Sequence, residues 1–407
     1  MNIKALGNIL GTFLFIKSLQ LTIVYFSPLQ FDTSSSILLD EYQNDLHELP
    51  AWLQPLCSQL LQKLVVWDSV YFTKLSLSNI TFEHEWVFGP LWWRLISYFN
   101  LQNFYWNLIL SVVLSNLFHF LSCLIMYPLT FLFFQWEKKS MDVAQLATVC
   151  SLLTVIQPSG IFSTTNYSES ASQFFCFLGL YLRKVAFTRG KLQNKLTYLF
   201  SGTCFAIAFG FRSNCLLYGT VFLVDLWHFN FKHPLPSIMS IIAGTQIFAA
   251  LMYSVWLPYS IYCPERGEWC ESLTKSLTSY AQSHYWNVGF LKYFTTSNIP
   301  LFLIAAPSLS IILLSIVYFH KHADVRSVWI VSTIYWFVQL FFMHIQIVNR
   351  VSTFIPLHIW FIGHISLSKG INEPYLFSKQ FSTVVINWWI IWILVQTALY
   401  SCFLPPA

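Results

Sequence analysis

The stretch LGNILGTFLFIKSLQLTIVYF, residues 6–26, is long enough to cross a bilayer as one helix. Further apolar runs follow at roughly 106–134, 141–156, 171–187, 197–211, 214–230, 238–257, 301–319, 328–347, 351–367 and 383–403. Together they make about eleven spans. This recurrence constrains the chain more than any motif does. In hydrocarbon, backbone polar groups must be bonded within the protein, so each run is expected to be helical. Composition agrees: 10 % of residues are charged and 56 % hydrophobic, whereas a soluble domain is roughly 25 % charged. The expected fold is an all-α polytopic membrane protein, with residues 1–407 forming one membrane-embedded domain. The first run exceeds the apolar region of a cleaved signal and no small-x-small site clearly follows, so it reads as an uncleaved anchor. There is no contiguous basic run and no zinc spacing, which argues against a nucleic-acid partner. There is no internal repeat of the kind a transporter would show.

Orientation follows from Lys and Arg. With a cytosolic N-terminus, the short cytosolic connections carry Lys138, Lys139, Arg183, Lys184, Arg189, Lys195, Lys232, Arg326 and Lys369. Two long segments, 28–105 and 258–300, then share the opposite face, which also carries Arg266. In the first, Pro50 precedes Leu53, Leu56, Leu60, Leu61 and Leu64 at helical spacing. This predicts an amphipathic helix lying on the membrane surface. The second holds Cys263 and Cys270, either two free thiols or a disulfide; an oxidising lumen favours the bridge, worth about 2.5 kcal/mol. Pro128, Pro307 and Pro356 lie inside spans. Asn79-Ile-Thr81 and Asn166-Tyr-Ser168 match the glycosylation acceptor pattern.

Unusual polar residues collect at the non-cytosolic ends of spans. Asp68 sits between Trp67 and Val70-Tyr71-Phe72, and Glu83-His84-Glu85 precedes WVFGPLWW. QPSGIFSTTNYSES holds Asn166 and Glu169, and FGFRSN holds Arg212. AQSHYWNVGFLKYF carries His284, Trp286 and Asn287; MHIQIVNRVSTF carries His344, Gln346 and Arg350. An ionisable group costs about 2.5–3.5 kcal/mol near a helix centre, so such residues usually face a cavity or a partner. They are expected to converge on one pocket at the far-side surface. Lys63, Lys74, Lys275 and Lys292 read instead as interfacial side chains. Lys17, within the first run, is expected either to pair with an acid or to bond carbonyl groups.

The ordered set WDSVYF, FEHEWVFGP, QPSGIFSTTNYSES, FGFRSN, YCP…WC with SHYWNVGF, and HIQIVNR resembles the GPI mannosyltransferase 2 family, of the PIG-V type. The resemblance covers about residues 64 to 367; Gln157 and Cys215 depart from its more usual Asn and Gly. It implies a GT-C-like glycosyltransferase of the endoplasmic reticulum membrane, its active site luminal. It also implies transfer of the second mannose, α-1,6-linked, from dolichyl-phosphate mannose to a GPI-precursor glycolipid. A small accessory membrane subunit is an implied partner.

A β-linked mannosyl phosphate giving an α-linked product requires inversion. That chemistry needs a base opposite the leaving phosphate and positive charge upon it. Asp68 is expected to be the general base, its apolar neighbours raising its pKa above the ordinary ~3.9. Arg212 or Arg350 is expected to clamp the phosphate, since a guanidinium presents paired donors. Glu83, His84 and Glu85 suit either acceptor hydroxyls or a divalent cation. No D-x-D occurs, and neither metal nor cofactor is expected. Trp67, Asn166, Glu169, His284, Trp286 and Gln346 complete the candidate substrate contacts.

Overall fold

The structure, a computed structural model, describes residues 1–28, 30–31, 34–78, 80–137, 142–188, 191–230, 232–263, 267–368 and 374–405. Asn79, Lys138, Lys139, Arg189, Arg266 and Lys369 lie outside these described residues. The principal helices are α1 (Ile3–Phe26), α2 (Asp68–Leu77), α3 (Pro90–Ser97), α4 (Phe104–Phe134), α5 (Val143–Val155), α6 (Glu169–Ala186) and α7 (Lys195–Phe211). They continue with α8 (Gly219–Phe229), α9 (Pro234–Tyr262), α10 (Leu277–Tyr285), α11 (Ile299–Phe319), α12 (Arg326–Phe341), α13 (Leu357–Leu367) and α14 (Lys379–Ser401). One two-residue antiparallel ladder, Phe187–Thr188 with Lys191–Leu192, turns the chain between α6 and α7. Polar residues just outside the apolar runs start several helices. Asn2, Asn103, Asp142, Asn194 and Ser378 each accept a hydrogen bond from first-turn amides as N-caps.

Every expected apolar run carries a helix, yet by length and composition only five helices among the described residues can cross a membrane. A sixth is added if Ile345–Phe354 and Leu357–Leu367, bent by 80°, count as one span. Val143–Val155 and Lys195–Phe211 are shorter apolar helices, and the helix lengths alone do not confirm the count of about eleven. Pro128 and Pro307 do lie inside helices, but Pro356 falls at the bend rather than within a span. A proline favours extended backbone before it and removes a helical donor, which ends the run.

Residues 157–168 show why α5 and α6 remain short. This segment, which has no α-helix and only a 3₁₀ turn at Gly160–Ser163, is wholly buried, so its backbone must be satisfied by the protein. Lys17 Nζ donates to Ser163 O (2.9 Å) and to Thr164 Oγ1 (2.7 Å), and Asn116 Nδ2 donates to Thr164 O (2.8 Å). Gln396 Nε2 and Trp392 Nε1 donate to Pro158 O, while Ile161 N donates to Gln396 Oε1. Of the two options for Lys17, the fold takes the carbonyl. Gly160 has φ +45°, and a Cβ there would come within 2.2 Å of Gln396 Oε1, so only glycine fits.

A second apolar cluster lies under the first long segment and includes Leu64, Val66, Phe72, Trp92, Tyr167 and Tyr400. Leu53, Leu60, Leu61 and Leu64 are buried in it, and only Leu56 is exposed. The predicted surface helix is thus a core element, running as an α turn, a π turn and a 3₁₀ turn from Gln54 to Leu64. Helical leucine spacing needs an apolar partner, and here protein supplies it in place of lipid. The two long segments pack together, α10 against the turn Glu83–Val87. Cys263 and Cys270 form the disulfide. The other cysteines are buried and free, as packing residues; Cys176 and Cys215 approach to 3.5 Å between sulfurs, and Gln157 bonds Gln173.

Candidate active site

Three segments bring charged residues to a cavity of about 720 Å³. α2 supplies Asp68, its first residue, and Trp67 just before it. The end of α7 supplies Arg212, and the short helix Val348–Val351 supplies Arg350. Glu169, the first residue of α6, stands behind them, 1 % exposed. Both carboxylates sit at helix N-termini and Arg212 at a helix C-terminus, where the helix dipoles favour their charges.

The charges form a chain. Arg350 Nη2 lies 2.8 Å from Asp68 Oδ2, and Arg350 Nε lies 3.1 Å from Glu169 Oε1. Arg212 Nη2 lies 3.0 Å from that same Glu169 oxygen. Two acids and two bases thus alternate. The Glu169 contacts are ion pairs without hydrogen-bond geometry, and both its oxygens and Arg350 Nε lack a hydrogen-bond partner among the described residues. The Arg350 guanidinium is also held over the rings of Phe162 (5.2 Å) and Tyr167 (5.5 Å).

Asp68 is presented by a strained backbone. Trp67 has φ 54° and ψ −132°, a conformation costly for a side chain larger than glycine and concentrated at functional sites. The surroundings over-determine it. Tyr167 Oη donates to Val66 O (3.2 Å), Tyr400 Oη donates to Leu64 O (3.0 Å), Phe72 is buried, and Tyr71 stacks on Phe88 at 4.3 Å. Aromatic residues including Trp67, Phe88 and Phe162 line the cavity that Asp68 opens on, but they do not enclose its carboxylate as expected. Phe72 turns into the core, Tyr71 is partly buried and Trp67 stays 38 % exposed beside the cavity, while the Asp68 side chain is 27 % exposed and ion-paired to Arg350.

Other predicted residues divide. Trp286 and Gln346 line the cavity. Gln346 Oε1 accepts from Tyr293 Oη at 2.8 Å, and the Trp286 carbonyl lies 2.7 Å from His344 Nε2. Asn166 does not reach it: Oδ1 accepts from Trp92 Nε1 (2.8 Å) and Nδ2 donates to Thr73 Oγ1 (2.9 Å), a burial that also removes it as a glycan acceptor. Glu85 pairs with Lys74 Nζ and accepts the Thr81 and Phe82 amides at 2.8 and 3.1 Å. Burial alone would push the Glu85 carboxyl up, but the Lys74 ammonium and the two amides together hold it below the ordinary carboxylate range. His84 packs among Tyr71, Phe82, Tyr285 and Trp286, His284 is exposed and stacked on Tyr280, and neither they nor Glu83 line the cavity. The Glu83-His84-Glu85 triplet does not converge, and no group of three or more His, Cys, Asp or Glu among the described residues could hold a metal ion.

Sequence reading missed Ser213, Asn214, Tyr335 and Gln339, which also line the cavity. The signal was available for two of them: Tyr335 and Gln339 are four apart in an apolar run, hence on one helix face.

A cavity offering one accessible carboxylate beside two guanidinium groups, among aromatic walls, can accept a proton and bind an anion at once. Fold and site together define a polytopic membrane enzyme. The family model described as Mannosyltransferase (PIG-V) matches residues 6–327 and 322–407. The chain belongs to this family and is a glycosyltransferase, as the resemblance implied. It is 36 % identical over 415 residues to the GPI mannosyltransferase 2 of Candida albicans, covering 99 % of this chain and 100 % of that one. It is 36 % identical over 433 residues to the protein of that name from Saccharomyces cerevisiae, covering 97 % and 98 %. Among solved structures it aligns to the oligosaccharyltransferase of Archaeoglobus fulgidus at 11 % identity and a TM-score of 0.47, covering 98 % of this chain and 55 % of that one.

Proposed function

We propose that this enzyme acts in GPI-anchor synthesis, transferring the second mannose in α-1,6 linkage from dolichyl-phosphate mannose to the GPI precursor. The reaction belongs on the luminal face of the endoplasmic reticulum membrane, in a GT-C-type enzyme with a small accessory membrane subunit as an expected partner. The observation that carries the reading is the chain Asp68–Arg350–Glu169–Arg212, of which Asp68, Arg350 and Arg212 line the cavity and Glu169 stands behind them. The relatives named GPI mannosyltransferase 2 support the choice of sugar and acceptor.

The roles follow from the pairing. Asp68 takes the proton from the acceptor 6-hydroxyl as that oxygen attacks the anomeric carbon. The bond from that carbon to the phosphate oxygen breaks, and the dolichyl phosphate leaves with the electron pair. Arg350, shared by two carboxylates, orients Asp68. Among the described residues Arg212 contacts one carboxylate and Arg350 two, so Arg212 is the freer guanidinium and is assigned to the phosphate. Glu169 fixes both arginines, and Trp286 provides an aromatic wall for a sugar. No step is routed through a metal.

The test is lipid analysis of cells depleted of the protein. A precursor bearing one mannose is expected to accumulate, with rescue by the wild-type chain and not by Asp68→Asn at equal protein level. An unchanged mannose count would overturn the reading; full rescue by Asp68→Asn would remove Asp68 as base.

A further inference from the structure

Tyr335, on α12, is 3 % exposed and lines the cavity. Its ring packs edge-on against Phe354 at 5.1 Å. Its hydroxyl, however, is shielded from solvent and has no hydrogen-bond partner among the described residues. A buried, unpaired hydroxyl is costly, and buried polar groups are normally bonded, so this one calls for a reason. Arg212 is close enough to interact with it electrostatically, and α12 packs on the turn Ser213–Tyr218 that follows that arginine. A phenol beside a cation turns its oxygen lone pairs toward the charge. Its proton is then directed away from Arg212, free for an oxygen that approaches the same guanidinium.

The geometry points to Tyr335 as a second phosphate ligand: its hydroxyl donates to a non-bridging phosphate oxygen of the donor that Arg212 holds. This rests on the donor assignment above. The polar groups nearest along its own helix do other work. Gln339, one turn on, donates to His344 O at 2.9 Å, and His344 in turn meets the Trp286 carbonyl. Thus, among the described residues, Tyr335 is the polar side chain of this helix face left uncommitted, and Trp286 is tied to the same face through His344.

The variant Tyr335→Phe removes the hydroxyl and keeps the ring. Using purified full-length enzyme with dolichyl-phosphate mannose and a monomannosylated glucosaminyl-phosphatidylinositol acceptor, the apparent donor KM is expected to rise roughly ten- to hundredfold, as for loss of a hydrogen bond to a charged group. Acceptor KM is expected to stay unchanged. The substrate-free variant is expected to melt at or above the wild-type temperature, since no bond in the free protein is lost. Dolichyl phosphate is expected to raise the melting temperature of the wild type more than that of the variant. An equal dolichyl phosphate shift in both proteins, or none in the wild type, overturns the proposal. So does a substrate-free variant of lowered stability, which marks a structural hydroxyl. Should the wild type bind dolichyl phosphate yet transfer no mannose to that acceptor, the acceptor assignment falls while the melting comparison still decides Tyr335.

Discussion

Helix α6 connects two buried groups of opposite charge that differ in one respect. At its C-terminal end Arg183 meets Asp225; at its first residue Glu169 meets Arg212 and Arg350. The two are fourteen residues apart, about 21 Å along the axis. In the first group every polar atom has a destination: Arg183 Nε and Nη2 donate to the two Asp225 oxygens, Tyr198 Oη donates to Asp225 Oδ2 at 2.7 Å, and Arg183 Nη1 reaches Ser327 Oγ at 3.4 Å. None of these atoms is buried without a partner. In the second, both Glu169 oxygens and Arg350 Nε lack hydrogen bonds among the described residues, and the group opens on a large cavity. A closed network is complete and can serve only the fold. An open one retains unused bonding capacity, which a substrate can take up.

The sharpest way to break this comparison is to cut one member at each end. Asp68→Asn is expected to lower mannose transfer by about 10²- to 10⁴-fold, as loss of a general base does, with normal protein level and melting temperature. Arg183→Met should do the reverse. It leaves Asp225 buried without its cation, with only the Tyr198 hydroxyl still donating to it, at about 3–5 kcal/mol, so melting temperature and level fall while the activity of each remaining folded molecule is preserved. Equal loss of stability at both ends would erase the distinction.

Within the open group the comparison sharpens to two arginines. Lysine keeps the charge but cannot present a planar fork to two partners. Arg350→Lys should lower kcat by about tenfold or more, because Asp68 loses its orienting contact, with donor KM little moved. Arg212→Lys should chiefly raise donor KM, by about tenfold. Steady-state kinetics separating kcat from donor KM decides the assignment, and exchanged patterns would exchange the roles.

The contrast also explains what was legible in the sequence. Asp68, Glu169, Arg212 and Arg350 stand out there because a charge in an apolar run is costly wherever it lands, and all four meet at the site. Glu85 and Asn166 looked equally anomalous. Their partners, Lys74 and the Trp92 and Thr73 side chains, are tertiary choices that no local pattern reveals. Tyr335 was hidden for the opposite reason: in a run rich in aromatics a phenol reads as one more apolar ring. Leucine spacing from Leu53 to Leu64 predicted a buried face but not whether lipid or protein would cover it. Run length alone could not show that 157–168 would leave the helix and be bonded by Lys17, Asn116 and Gln396.

Glu85 offers the smallest test, since its ion pair lies between the two extremes. Its acceptors are used, but Lys74 is 28 % exposed, so water screens the pair and its worth is about 1 kcal/mol or less. The carboxyl is held below its ordinary value in the folded protein. The stability it adds is therefore fully present above the unfolded value, near 4.3 for a free Glu, and is lost as pH falls through the folded value. Between neutral pH and about 5 this group should add no pH dependence. Melting the wild type and Glu85→Gln from pH 7 down to 3 should show a difference that is constant at first and shrinks at the acid end. A gap that widened on acidification would mean that Glu85 is bound in its protonated form, and the ion pair with Lys74 would not be what holds the turn before the cavity.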